Sequence, residues 1–302
     1  MITGNAADTD LDRPQWAKSI PFLAVHLVAI ATPFVVPPTW RLAGLALAVY
    51  ASFMFGITAG YHRYFSHRAF RTGRVFQFVL ALLGTLSVQK GVLWWAGHHR
   101  DHHRYSDGEK DVHSPVQRGF WWSHVGWILA ARYDRSRPER VKDLARYPEL
   151  LWLDRYALVP PVAFAAVLFL LGGLPALLWG FFVPVTVCWH VTFSINSVAH
   201  VLGSRRYATA DDSRNNPLLA ILTFGEGWHN NHHFYPSTAN QGWFWWELDV
   251  SYLVLRALAV VGVVRDLRTP PPHVREGRLP RRPAALQEDG PAGGQVGVEH
   301  AL

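Results

Sequence analysis

Two long stretches of this chain, residues 20–61 and 156–199, contain no Asp, Glu or Lys and a single Arg, Arg41. A helix needs roughly 20 apolar residues to cross the hydrocarbon core of a bilayer, and backbone polar groups in lipid must be bonded within the span. Each stretch holds two such lengths. The first divides at Thr39-Trp40-Arg41 into 20–38 and 42–61, and the second at Gly172-Gly173 and Pro175 into 156–174 and 175–199. Each connection is too short to be a domain, so each pair reads as a helical hairpin. The predicted fold is an all-α integral membrane protein with four transmembrane helices in two hairpins, its large polar segments on one side.

Charge supports that sidedness. Of the 29 Lys and Arg residues, 2 precede residue 20, 16 lie in 61–155, 10 lie in 201–302, and Arg41 is the remaining one. Positive charge collects on the cytoplasmic side of membrane proteins, which places both termini and the intervening segments there. The formal charge of +7 then belongs to a membrane surface and not to nucleic-acid binding, because the cations flank apolar spans and form no basic domain. Residues 75–95 are nearly long enough to span, but Gln77, Gln89 and Lys90 oppose burial in lipid. They are predicted to lie in or dip into the interface, as are residues 250–264, with Arg256 near their middle. The predicted organisation is a cytoplasmic N-terminal segment (1–19), a membrane domain (20–268) and a Gly/Pro-rich disordered tail (269–302). Asp8, Asp10 and Asp12, with no small-residue cleavage site, argue against a secretory signal. Cys188 is the one cysteine, which excludes an intrachain disulfide and thiol-rich metal sites.

Nine of the 16 histidines carry the chemistry. They are His62 and His67, then His99, His102 and His103, then His229, His232 and His233, with His200 four residues after Asn196. The i, i+3, i+4 triads each place three imidazoles on one helical face. His62 and His67 are five apart, about 140° around an ideal α-helix, so they converge only if the helix ends between them. Nine nitrogen ligands exceed one coordination sphere and suit two ions. Imidazole serves Zn, Cu, Fe and Ni, so spacing alone leaves the metal open. A hydrolytic zinc site needs a carboxylate base, for which Asp101 and Glu226 are candidates, but hydrolysis does not need two nitrogen-rich metals. Two redox metals beside a membrane point instead to oxygen activation against an unreactive C–H bond. A non-enzymatic membrane metal-binding protein is the other alternative; it predicts repetitive His in disordered sequence or ionisable residues inside the spans. His26, His113, His124, His190, His273 and His300 read as structural, and His98 as either.

At these residues the chain resembles the membrane fatty-acyl desaturases, specifically the stearoyl-CoA desaturase-like group. The likeness covers about residues 20–268. It rests on H-x-x-x-x-H (His62, His67), H-x-x-H-H (His99, His102, His103), N-S-x-x-H (Asn196, His200) and G-E-G-W-H-N-x-H-H (Gly225 to His233). Phe234-Tyr235-Pro236 and the stretch from Arg118 to Trp127 also match.

The resemblance implies a di-iron centre held in a cytoplasmic helical cap by the nine histidines, with Asn196 contributing through a water. It implies a bent tunnel for a fatty-acyl chain, with Gln89, Trp95, Thr192 and Phe193 at the bend and Arg118 and Arg155 as headgroup contacts. The implied reaction introduces a cis double bond, Δ9 by family habit, into an acyl-CoA or acyl-lipid substrate. A hydroxylase on the same scaffold is the alternative. No haem-attachment or Cys-rich iron–sulfur motif is present, so electrons are expected from a partner such as ferredoxin with its reductase or a small haem protein. A basic cytoplasmic face suits an acidic carrier.

Overall fold

The computed structural model describes residues 12–277, without the side chains of Ala17 and Lys18. The predicted N-terminal segment up to residue 11 and the tail from 278 onward lie outside the described residues. Among the described residues the fold is mostly helical, and the one sheet is a two-stranded ribbon.

Helix α1 (Trp16–Val35) ends at Val36 in extended conformation, as a residue before Pro37-Pro38 must. Helix α2 (Trp40–Phe55) starts at Thr39, whose side chain accepts from the Leu42 N–H. The connection therefore lies at residues 36–39, earlier than the predicted Thr39-Trp40-Arg41, because the prolines stop one helix and the threonine caps the next. Helix α2 runs on without a break into a π-helix, Gly56–Ser66. Helices α3 (Arg74–Leu86) and α4 (Val92–Tyr105) replace the single element expected at 75–95. Val88 and Lys90 between them take positive φ, 59° and 67°, which no helix continues through. At 13 residues α3 is about 20 Å long, short of the roughly 30 Å core.

Helix α5 (Pro148–Arg155) leads to α6 (Val159–Leu177), in which Gly173 leaves helical geometry at φ 63°. A short π-helical segment, Leu178–Phe182, joins it to α7 (Val183–Ser197), which tightens into a 3₁₀ turn ending at His200. The Phe164 and Phe181 rings lie 6.5 Å apart, so the chain folds back at the Gly173 break. The third histidine cluster occupies α8 (His229–Phe234), and α9 (Val250–Val260) precedes strand β2 (Val264–Arg265), which pairs antiparallel with β1 (Arg71–Thr72). Residues 269–277, expected to open the tail, instead form a short helix at Pro272–Arg275. It buries Val274 against Tyr207, Phe234 and Trp243.

Among the described residues, two stretches are long and apolar enough to cross a membrane, Trp40–Ser66 and Val159–His200; Ser19–Val35 is a shorter apolar helix. Their outer faces carry Phe34, Trp40, Leu170 and Leu171, each more than four-fifths exposed or close to it. Large apolar side chains exposed in this way mark a membrane-facing or interaction surface. Inside, Tyr61, Phe65, Leu80 and Leu93 form one core, and Phe53, Phe181, Val185 and Trp189 another.

The π-helix and α3 approach closely because both are small at the contact. Gly56 and Gly60 form a G-x-x-x-G pair. A Cβ on Gly56 would meet the Gly84 backbone at 2.5 Å, and one on Gly84 the Tyr61 ring at 2.4 Å. Nothing lies within 4 Å of a Cβ on Gly44. Gly84→Val should therefore destabilise the fold by about 1–3 kcal/mol, read as a lower Tm in detergent, while Gly44→Ala leaves Tm unchanged.

Candidate metal centre

The first histidine pair meets by a route the α-helical angle did not suggest. The backbone from Gly56 to Ser66 is π-helical, and the His67 N–H bonds the His62 carbonyl five residues back at 3.2 Å. Residues five apart then fall on one face, and the two rings lie 4.8 Å apart. The helix ends between them, at Ser66 with His67 as its capping residue, as expected, and it is widened over the turns before that end. His99, His102 and His103 project from α4, His229, His232 and His233 from α8, and His200 from the turn after α7.

These nine side chains fall into two groups whose ligand atoms lie within 4.8 Å of one another: His62, His67, His99, His103 and His232, and His102, His200, His229 and His233. Each triad is thus divided. Helix α4 gives His99 and His103 to one group and His102 to the other, and α8 gives His232 to the first and His229 and His233 to the second.

Nε2 atoms face one another at 2.9 Å for His62 and His232, 2.9 Å for His232 and His103, 2.8 Å for His67 and His99, and 3.1 Å for His200 and His229. An imidazole nitrogen sits about 2.0–2.1 Å from a first-row divalent ion, so two ligands at a right angle lie about 2.9 Å apart. The observed separations have that size. Hydrogen bonding alone fits less well. His232 Nε2 faces two other Nε2 atoms and has one proton at most, and buried His102 Nε2 and His233 Nε2 have no hydrogen-bond partner. The residues present fit a metal in each group.

Carboxylates orient the rings. His62 Nδ1 meets Glu226 Oε2 at 2.5 Å, His200 Nδ1 meets Asp107 at 2.8 Å, His233 Nδ1 meets Asp211 at 2.6 Å, and His102 Nδ1 meets Asp111 at 3.0 Å. The pairings of His200, His233 and His102 are hydrogen bonds that keep the Nδ1 proton on the carboxylate side and leave Nε2 bare toward the group's centre, the arrangement that raises ligand basicity. Burial, then neighbouring histidines, push His99, His103, His229 and His232 well below the ordinary imidazole value. They are neutral, as ligands must be. Burial alone would raise the Asp107 carboxyl; its bonds to His200 and Ser114 outweigh that and hold it at about 2. Glu226 is likewise held below its usual value, against burial, by His62 and Arg63.

Arg63, fully buried, locks this frame. Its guanidinium reaches Glu226 at 3.1 Å, Asp249 at 2.9 Å and the Ala239 carbonyl at 2.7 Å. Gly225, at φ 121°, leaves room for it, since a Cβ there would lie 2.4 Å from Asp249 Oδ1. Removing one partner of such a pair costs about 3–5 kcal/mol. Neither carboxylate weighed as a hydrolytic base is free for that work: Asp101 faces Arg137 and Arg140, and Glu226 is held by His62 and Arg63.

Beside the first group lies a cavity of about 450 Å³, lined mainly by apolar side chains. Gln89, Trp95, Thr192, Phe193 and Asn196 line it, together with His99. Gln89 Nε2 donates to Thr192 Oγ1 at 3.2 Å, and Trp95 stacks on His99 at 4.9 Å. His98 lines it too, its Nδ1 bonded to the Trp94 carbonyl and its Nε2 without a partner. Arg155 borders an adjoining polar recess with Lys90, Asp134 and Ser136. Arg118 lies apart from both, stacked on Trp122 and paired with Asp12.

Sequence reasoning missed Asp107, Asp111 and Asp211 as partners of histidines. Asp107 and Asp111 follow His103 closely, but nothing in their spacing says which ring they face. Asp211 had no signal.

Residues 38–266 match the family described as Fatty acid desaturase. The chain is 38% identical over 266 residues to the sn-2 palmitoyl-lipid 9-desaturase of Nostoc sp. (strain 36), covering 86% of this chain and 92% of that protein. It is 37% identical to the sn-1 stearoyl-lipid 9-desaturase of Synechocystis sp., covering 85% and 81%. It is 38% identical to Delta-9 acyl-lipid desaturase 1 of Arabidopsis thaliana, covering 84% and 83%.

Losing an orienting carboxylate typically costs about 10–100-fold in metal affinity. Asp111→Asn should weaken the four-histidine group and leave the five-histidine group intact, so metal per chain falls toward half after dialysis against a chelator. Asp101→Asn should retain wild-type metal content.

Proposed function

The chain belongs to the fatty acid desaturase family, and on that premise we propose that it introduces a cis double bond, at Δ9, into a saturated acyl chain carried by a membrane lipid. It is an oxidoreductase acting on fatty acyl chains. One observation carries the reading: His99 belongs both to the five-histidine group and to the wall of the apolar cavity. A chain lying in that cavity passes directly beside the metal-binding nitrogens. The lipid-bound substrate and the Δ9 position are supported by the names of the relatives, which are acyl-lipid 9-desaturases.

In this reading the nine histidines hold two irons, and Asn196, one turn before His200, contributes through a water. Bound iron would supply the redox chemistry that activates oxygen against a C–H bond. The rest is done by the chain's own residues. The hydrogen bond between Gln89 and Thr192 ties α7 to the α3–α4 connection, which supports a bend in the cavity there. Trp95, fixed against His99, and Phe193 confine the methylenes at that level. Holding two adjacent carbons in one place converts a diffuse encounter into an oriented one. The apolar walls exclude water from a reactive oxidant. Arg155 and the recess beside Lys90 and Asp134 offer polar contacts for the headgroup end, and Arg118 serves at most from outside the cavity.

Desaturation takes two hydrogens from neighbouring methylenes and, with oxygen, two electrons and two protons, yields two waters. The electrons come from an external carrier, an acidic ferredoxin or small haem protein attracted by the cationic face. The protein is multi-pass with its histidines cytoplasmic. Val159–His200 is broken at Gly173, and in this reading the stretches on either side of the break, 156–174 and 175–199, cross once each. Trp40–Ser66 is a third, and α1 the fourth.

Expression in a host rich in saturated chains tests the reading. The wild-type chain should yield a cis-9 monounsaturated product in membrane lipids by gas chromatography and mass spectrometry. His99→Ala should yield none at equal protein level. A hydroxy-acyl product without a new double bond would replace desaturation by hydroxylation.

A further inference from the structure

Three histidines read from sequence as isolated and structural are joined in space. His26 on α1, His190 on α7 and His124 lie far apart in the chain, yet their rings form a continuous ladder. His26 Nδ1 meets the Phe22 carbonyl at 2.7 Å, His26 Nε2 meets His190 Nε2 at 2.9 Å, and His190 Nδ1 meets His124 Nε2 at 3.1 Å. His124 Nδ1 reaches the Ser197 hydroxyl at 2.9 Å. One fixed end sets every proton. A carbonyl only accepts, so His26 carries its proton on Nδ1 and accepts at Nε2. His190 must then donate from Nε2 and accept at Nδ1, and His124 donates from Nε2; its Nδ1 lies against the Ser197 hydroxyl, which donates to the Phe193 carbonyl at 3.0 Å. The three rings do not bring their nitrogens into one of the converging ligand groups of the described residues, so the ladder is not a third metal site.

Its position gives it a role. Lipid provides no hydrophobic drive between helices, so packing and interhelical hydrogen bonds hold them together. Among the described residues, Ser19 and Thr32 on α1 bond back to their own helix, and His26 alone bonds another helix through its side chain. The residue whose carbonyl anchors the ladder, Phe22, stacks on Trp189 with ring centroids 5.0 Å apart. Both line the acyl cavity. Trp189 is seven residues before Asn196, about 10 Å along α7, so this level of the cavity lies away from the Asn196 end, with Val185 and Phe181 lining it farther on.

We infer that His26, His190 and His124 are positioning residues that pin α1 to α7 and so set the cavity width at Phe22 and Trp189, where the acyl chain is measured by length. The inference rests on the desaturase reading. The ladder touches no reacting atom and leaves the histidine groups unaltered. Loosening it changes which chain fits and not whether chemistry occurs.

The test is the ratio of 16-carbon to 18-carbon monounsaturated products in lipids of a host supplying both saturated chains, with iron content measured on the same purified full-length protein. His26→Leu should shift the ratio about threefold, the size of an average hydrogen bond between membrane helices, at wild-type iron content. His190→Leu should shift it alike, and the double variant no further. If the ladder acts through Phe22, Phe22→Ala should shift the ratio, and adding His26→Leu to it should change nothing more. A merely structural His26 would instead give additive losses in the pair. His26→Gln enters the same cycle should the leucine variant fail to accumulate. An unchanged ratio, additive effects, or iron lost together with product would overturn the inference. No monounsaturated product from the wild-type chain would remove the desaturase reading and this one with it.

Discussion

Nine imidazoles, eight of them buried and His99 half-buried, turn their nitrogens on one another as a metal-binding set would. Burying a polar nitrogen without a partner costs free energy, and here Nε2 atoms of both groups either face each other at 2.8–3.1 Å or face nothing. The surrounding fold makes sense as a means of holding that arrangement. Glu226, Asp107, Asp111 and Asp211 fix the rings from behind, and Arg63 with Asp249 fixes Glu226. Each carboxylate comes from a connection between helices, so the polar segments outside the apolar stretches form the frame that aims ligands contributed by the helices.

The π-helix from Gly56 to Ser66 serves both needs at once. Its i→i+5 geometry brings His62 and His67 to one face, and its glycines let α3 pack against it. Through α3 and the Val88–Lys90 turn, the same contact places Gln89 against Thr192 at the cavity. The metal groups and the cavity therefore share one scaffold, with His99 as their common residue. The histidine ladder extends that logic to α1, whose inner face completes the cavity wall.

Much of this was legible in the sequence, because it depends on local spacing and on the absence of charge. The apolar stretches and the candidate ligands stand out for that reason, and the resemblance to the desaturases follows from motifs read as they stand. What escaped depends on geometry that spacing does not encode. The helix end that lets His62 and His67 meet was expected and lies at Ser66, but the π-helical turns before it have no sequence signature comparable to an N-cap. The triads at His99 and His229 look like units, yet each serves two groups. Asp211 faces His233 only because the 201–216 loop folds back over α8, and His26 finds His190 across 164 positions of chain. Pro37-Pro38 was the better guide to the first turn than the charge at Arg41.

The central claim is that two metal-binding groups, each built from imidazole, share this frame. Counting iron in anaerobically purified, full-length wild-type protein, with X-ray absorption at the iron edge, tests it most directly. Two irons per chain with a first shell dominated by nitrogen at about 2.0–2.2 Å is the predicted result. A single metal per chain, or a shell dominated by carboxylate oxygen, would contradict it.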